Sequence, residues 1–219
     1  MTLPFLTTRR IAILEDEEAG GRLPIATRQG TVTGFDGRHQ QEDFWCWAAV
    51  TQSIEAWQGR SVSQSEIASH HIAPGADALV CVTPLGVQNG LECLCATPAG
   101  CGGTHALSTV LDGRNLLQRA RKLSAEPLKF EADIVDRIDA DIPVPFRIAW
   151  SAGGGHFVCI LGYAVFGEQH WVTVYDPLPV SSSAASAETI DMPFDEFLTA
   201  YGEASGRGGA PNYMYEVVS

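Results

Sequence analysis

Cys46 stands in the run Gln40-Gln41-Glu42-Asp43-Phe44-Trp45-Cys46-Trp47-Ala48-Ala49, and two further segments, Gly153-Gly154-Gly155-His156-Phe157-Val158 and Val174-Tyr175-Asp176-Pro177, lie far downstream. A thiol, an imidazole, a carboxylate and a side-chain amide are together the parts that thiol-based acyl transfer requires. A thiol attacks only as thiolate, and a free cysteine with a pKa near 8.5 is mostly protonated at neutral pH. A helix N-terminus carries roughly half a positive charge, and a neighbouring imidazolium adds a full one. Such surroundings bring thiol pKa values to about 3.5–7.5. Cys46 opens a helical stretch, so the first effect applies to it, and His156 is placed to supply the second.

The oxyanion of a tetrahedral intermediate needs hydrogen-bond donors. The backbone amide of Cys46 is one candidate. A side-chain amide from the preceding loop is the other, with Gln40 leading and Gln41 one residue of loop slack away. The imidazole needs an acceptor on its second nitrogen. Asp176 fits two adjacent antiparallel strands joined by a loop near Gly167. Side-chain alternation puts His156, Val158 and Ile160 on one face and Val172, Val174 and Asp176 on one face of the next strand.

The elements that must hold these groups follow from the pattern. From Phe44 to Trp57 the chain has neither Gly nor Pro, and Val50, Ile54 and Trp57 recur at helical spacing, which predicts an amphipathic helix starting near Cys46. Asp43 is placed to cap it and Gly59 to end it. Ser63 and Glu66 form a capping-box pattern for a second short helix. Residues 74–104, rich in Gly, Pro and Cys, read as an irregular insertion. Helical periodicity returns at Leu107, Val110 and Leu111, and at Ala132, Val135 and Ile138 before Pro143. After Pro145 the character changes to strands at 146–150, 156–163 and 170–175, with a turn at Gly167-Glu168. Helices first and strands second predict an α+β fold, with a helical lobe over 39–142, a β lobe over 143–219 and the active-site cleft between them. Residues 1–38, broken by several glycines, read as an extended arm: a propeptide, a targeting segment or a lead-in to the fold.

Composition narrows the function classes. The 219 residues suit one domain, and 45% hydrophobic with 18% charged residues is ordinary for a globular chain. Fourteen basic residues against 26 acidic ones give a net charge of -12, which leaves no basic surface for phosphates, so nucleic acid is not an expected partner. No run approaches the roughly 18 apolar residues that span a bilayer. The N-terminal apolar stretch is broken by Arg9, Arg10 and the acids Glu15 to Glu18, unlike a cleavable signal peptide. The expectation is a cytoplasmic protein on synthesis and a monomer, with leaderless export as an effector left open.

The order Gln40, Cys46-Trp47-Ala48-Ala49, then Gly154-Gly155-His156-Phe157-Val158-Cys159-Ile160-Leu161-Gly162-Tyr163, then Val174-Tyr175-Asp176-Pro177, resembles the papain-like cysteine peptidases. Within them it is most similar to the bacterial branch of plant-pathogen effector proteases and bacteriocin-leader peptidases. The resemblance spans Gln40 to Tyr201, and Pro193-Phe194-Asp195-Glu196-Phe197 resembles the closing segment. It implies a papain-like fold, hydrolysis of a polypeptide substrate without a cofactor, Cys46 as nucleophile, His156 as base and acid, Asp176 as orienter and Gln40 as oxyanion donor. Trp45 replaces the small residue that precedes papain's nucleophile, and Asp176 stands where papain has Asn. The same parts can serve a deamidase, a transglutaminase or an isopeptidase.

Other readings compete for particular residues. Cys46 alone can be a small buried hydrophobe, and Asp176 before Pro177 can simply open a turn. His105 is the rival imidazole. Cys81, Cys93, Cys95 and Cys101 with His105 can be free thiols, two disulfides or a zinc site, although Cys93-x-Cys95 is tighter than usual zinc spacing. A zinc- or partner-binding module without catalysis is therefore the reading of a different class. Cys159, in an apolar strand, reads as core.

Overall fold

Strand formation begins earlier in the chain than expected. The computed structural model describes residues 26–42, 44–72, 81–83, 86–88, 106–178, 187–203 and 208–219. Within the segment read as an extended arm, Arg28–Thr31 (β1) is a paired strand, and Val32 N donates to Leu161 O at 2.8 Å. There follow the helices Cys46–Trp57 (α1) and Gln64–Ile72 (α2), and the short antiparallel pair Cys81–Thr83 (β2) and Gly86–Gln88 (β3). That pair falls inside the insertion expected to be irregular. Cys93, Cys95, Cys101 and His105 lie outside the described residues, and of the cysteine cluster only the backbone of Cys81 is described.

Next come Leu107–Gly113 (α3), Leu117–Lys122 (β4), a wide π-helical turn at Phe130–Val135 and Asp136–Asp139 (α4). The remainder is Val144–Trp150 (β5), Gly155–Phe166 (β6), Gln169–Asp176 (β7), Glu188–Pro193 (β8), Phe194–Ala200 (α5) and Gly209–Val217 (β9).

Seven strands form one antiparallel sheet in the order β4-β9-β5-β6-β7-β8, with β1 also on β6. β6 is long enough to serve two partners along one edge: Val144 of β5 faces Ile160, and Thr31 of β1 faces Gly162. β7 covers the opposite edge. Residues His156 to Tyr163 are all buried, as expected of a strand covered on both faces. The arrangement is the α+β one expected, helices packed on a large antiparallel sheet. The sheet nevertheless recruits β1 and β4 from the half read as helical, and α5 lies in the half read as β.

α1 starts and stops where the periodicity places it, but it is buried nearly all round rather than amphipathic: Cys46 to Thr51 and Ser53 to Glu55 are all inside. Its polar residues are paired. Thr51 Oγ1 donates to Trp47 O at 2.8 Å, and Ser53 Oγ lies 2.8 Å from Ala49 O, the back-bonding that lets hydroxyls enter a helix interior. Glu55, 1% exposed, receives Arg114 Nε at 2.7 Å and Nη2 at 2.8 Å. Removing one member of such a pair strands a buried charge, at about 3–5 kcal/mol. Asp43, the expected cap, lies outside the described residues; Trp45 occupies the N-cap position. At α2 the capping expectation holds, with Glu66 N donating to Ser63 Oγ at 3.1 Å.

Candidate active site

His156 is delivered by a hairpin that only glycines can make. Gly153 and Gly154 have φ of 94° and 83°, a region that costs an L side chain strain but glycine nothing. At Gly155 a Cβ would sit 2.7 Å from Ile148 O. Beyond this turn β6 pairs with β7, with Ile160 opposite Val174 and Cys159 opposite Tyr175. Paired residues share a face, so the face carrying His156, Val158 and Ile160 is also the face carrying Val174 and Asp176.

The two side chains meet there. His156 Nε2 lies 2.6 Å from Asp176 Oδ1. His156 is 6% exposed and Asp176 2%. The carboxylate has further partners: Leu178 N donates to Oδ1 at 2.8 Å, and Tyr201 Oη donates to Oδ2 at 2.7 Å. The turn-forming use of Asp176 before Pro177 and its contact with His156 thus coexist on one side chain.

Asp176 engages Nε2, which leaves Nδ1 as the imidazole nitrogen for the thiol, and Cys46 is near enough to His156 to contribute to its electrostatics. Burial opposes the imidazolium. The Asp176 charge and hydrogen bond, with a smaller contribution from Cys46, outweigh it and raise the His156 pKa from 6.5 to about 10. The geometry therefore favours a protonated imidazole between carboxylate and thiol at neutral pH.

Gln40 and Gln41 part company. Gln40 is 4% exposed, whereas Gln41 is exposed. Gln40 N donates to Pro177 O at 2.9 Å, tying this loop to the residue after Asp176. Its Nε2 donates one proton to Glu42 O at 3.0 Å and has a second. Its Oε1 is buried without a partner among the described residues.

Gln64 of α2, itself 1% exposed, clamps the same loop: Oε1 accepts from Gln41 N at 2.9 Å, and Nε2 donates to His39 O at 2.8 Å and to Gln52 Oε1 at 3.0 Å. On the other side Tyr175 Oη donates to Arg38 O and lies 3.1 Å from Ser53 Oγ of α1. Its ring lies against Gly37, where a Cβ would come within 2.5 Å of Tyr175 Cδ2. The loop is thus fixed to α1, α2 and β7 at once.

Sequence reasoning missed two residues of the site. Trp150, at the end of β5, stacks on His156 with centroids 5.8 Å apart and planes 15° apart. Tyr201, just past α5, stacks in turn on Trp150 at 6.2 Å and 25°. Tyr201 holds Asp176, and Asp176 holds His156, so the four side chains close a ring. Phe197 of α5 docks edge-on against Phe146 at 5.2 Å, and Gly209 N donates to Tyr201 O at 2.9 Å, which together place Tyr201. The signal for Tyr201 was the resemblance of Pro193–Phe197 to a closing segment. Trp150 carries no comparable signal, since an aromatic residue at the end of an apolar strand reads as core.

Cys159 is buried, and burial pushes its thiol well above the ordinary range, in keeping with a packing role. Among the described residues no helix is long and apolar enough to cross a membrane. In comparison with known families, the chain matches the model of the Peptidase_C39 like family over residues 33–208. No curated protein matches it.

Proposed function

Because the chain belongs to the Peptidase_C39 like family and is a papain-like cysteine peptidase, we propose that it hydrolyses polypeptides with Cys46 as nucleophile, His156 as acid and base, Asp176 as orienter and Gln40 as oxyanion donor. The observation that carries this reading is the buried pairing of His156 with Asp176, Nε2 2.6 Å from Oδ1, beside a Cys46 near enough to contribute to the electrostatics of the imidazole. Three groups from distant parts of the chain converge in the order that proton transfer needs.

In the proposed cycle Cys46 attacks the scissile carbonyl as thiolate beside the His156 imidazolium. The carbonyl electrons move to oxygen, where the Cys46 amide and the second Nε2 proton of Gln40 receive them. Collapse breaks the C–N bond as His156 gives its proton to the departing amine, leaving a thioester on Cys46. Water then attacks the thioester while His156 takes its proton. The second tetrahedral intermediate expels the thiolate and releases the carboxylate product. Burial of Gln40 beside the exposed Gln41 supports Gln40 as the amide that takes part.

The test is a diverse peptide library incubated with wild type and with Cys46→Ala, followed by sequencing of the new ends. Wild type is expected to cleave, and loss of the thiol to lower the rate by at least about 10⁴-fold. Alkylation adds a direct readout: at mildly acidic pH a thiolate paired with imidazolium reacts rapidly while ordinary thiols do not. Cleavage undiminished in Cys46→Ala, or equal slow labelling of every cysteine, would remove the mechanism.

A further inference from the structure

Phe44 is the one large apolar side chain exposed among the described residues, at 57%, and it stands two residues before Cys46. Among the described residues three non-glycines have positive φ: Phe44 at 68°, Asn115 at 56° and Asp141 at 62°. Asn and Asp are the types that tolerate this region. Asp141 is also held there, its Oδ1 accepting from Thr33 N at 2.7 Å and from Thr33 Oγ1 at 3.0 Å. Phe44 has neither justification.

Its position makes the choice of residue costlier still. Trp45 N donates to Glu42 O at 3.2 Å, so Phe44 is the third residue of a tight turn, where a positive φ ordinarily calls for glycine. An exposed ring offers little packing in return for the strain. Strained residues of this kind concentrate where a ligand is engaged.

From these observations we infer that Phe44 is the specificity-determining residue of the site, presenting its ring to an apolar side chain of the substrate close to the scissile bond. This rests on the peptidase mechanism above and deepens it by naming the substrate class: peptides with a large apolar residue within one or two positions of the cleavage point. The distance argues for that closeness, since two residues of chain separate the Cα atoms of Phe44 and Cys46 by at most roughly 7 Å. Contact with such a side chain would also cover the exposed ring.

The experiment compares the ends generated from the library by wild type, Phe44→Gly and Phe44→Ala. Wild type is expected to show enrichment of Leu, Met, Phe or Tyr at one position near the cut. Both variants should lose that enrichment, with kcat/KM for an apolar peptide falling about tenfold or more and Cys46 alkylation by a small haloacetamide unchanged. Phe44→Gly should melt no lower than wild type, because it removes the strain, whereas loss of a purely structural aromatic would lower the melting point.

Enrichment that survives in both variants overturns the subsite while leaving the mechanism intact. A wild type that selects Gly or Ala near the cut, broadened to larger residues by Phe44→Gly, makes the ring a steric gate and also overturns the proposal. A wild type that cleaves no peptide, with Cys46 labelling no faster than ordinary thiols, overturns mechanism and subsite together.

Discussion

The corner that holds His156 and the loop that precedes Cys46 are built on opposite terms. In the corner each carboxylate oxygen of Asp176 has a donor, the imidazole is stacked on Trp150, and Tyr201 closes the ring. The loop is clamped as firmly at its backbone, by Gln64, Tyr175 and Pro177, yet the side chains it presents are unfinished. Gln40 Nε2 has a second proton beyond the one given to Glu42 O, and Phe44 is strained and exposed. The groups proposed to transfer protons are complete without a substrate, whereas the groups proposed to meet the substrate have contacts still to make. Preorganised charge belongs in the first region because the imidazolium must exist before attack. Incompleteness belongs in the second because a substrate can supply what is missing.

The largest break in the comparison comes from removing the carboxylate. Asp176→Ala is expected to lower kcat/KM by about 10²- to 10⁴-fold, since the imidazole loses both orientation and counter-charge. The pH profile carries the sharper signature. The folded-state pKa of His156 is raised from 6.5 to about 10. The stability it contributes is therefore fully present below about 6.5 and is lost as pH rises through about 10. The alkaline limb of wild-type activity should lie near the upper value, where the imidazolium is lost. Asp176→Asn keeps an acceptor oxygen but not the charge, so it should lose less activity and still move that limb downward. An alkaline limb that stays where wild type has it in Asp176→Asn would sink the account of the corner.

Gln40→Ala probes the loop. Loss of one oxyanion donor is expected to reduce kcat by about 10²- to 10³-fold. The melting temperature should change little, because losing the bond to Glu42 is offset by removing an unpaired buried oxygen, a defect worth about 1–3 kcal/mol. Large loss of rate with unchanged stability is the pattern of a group held ready for substrate. A rate within twofold of wild type would remove Gln40 from the chemistry.

How much of this the sequence disclosed follows the same division. The four proposed catalytic residues were legible because their types are rare in combination and their supports have strong periods: α1 by helical spacing, β6 and β7 by apolar runs. The strand β4 was not, because Leu117-Gln118-Arg119-Ala120-Arg121-Lys122 is polar at four of its six positions and has no apolar alternation. Its buried member is Arg121, neutralised by Asp133 at 2.6 Å, and a buried ion pair has no hydrophobic signature. β1 was missed for a related reason, since Arg28-Gln29-Gly30-Thr31 gains its order from the free edge of β6 beyond Val144 and not from its own composition. Tyr201 was invisible as a partner of Asp176 because only the docking of α5 brings them together. The strain at Phe44 is a backbone property that its side-chain type conceals.

The smallest effect, and the finest test of the corner, is Tyr201→Phe. The substitution keeps the ring that stacks on Trp150 and packs edge-on against Phe197 at 5.8 Å, and deletes only the hydroxyl that donates to Asp176 Oδ2. A lost hydrogen bond to a charged group lowers stability by about 1.5–3 kcal/mol, which a melting curve will register. The catalytic effect should be milder, because Leu178 N still holds Oδ1, the oxygen that faces His156. A decrease in kcat of about tenfold is expected, equivalent to about 1.4 kcal/mol of barrier, with KM unchanged because Tyr201 acts through Asp176 and not on the substrate. Cys46 alkylation at mildly acidic pH should slow in parallel with kcat, a coupling that a merely structural tyrosine would not produce. If KM rises while kcat and alkylation hold steady, Tyr201 belongs with the substrate-facing loop and the corner is smaller than the ring of four side chains suggests.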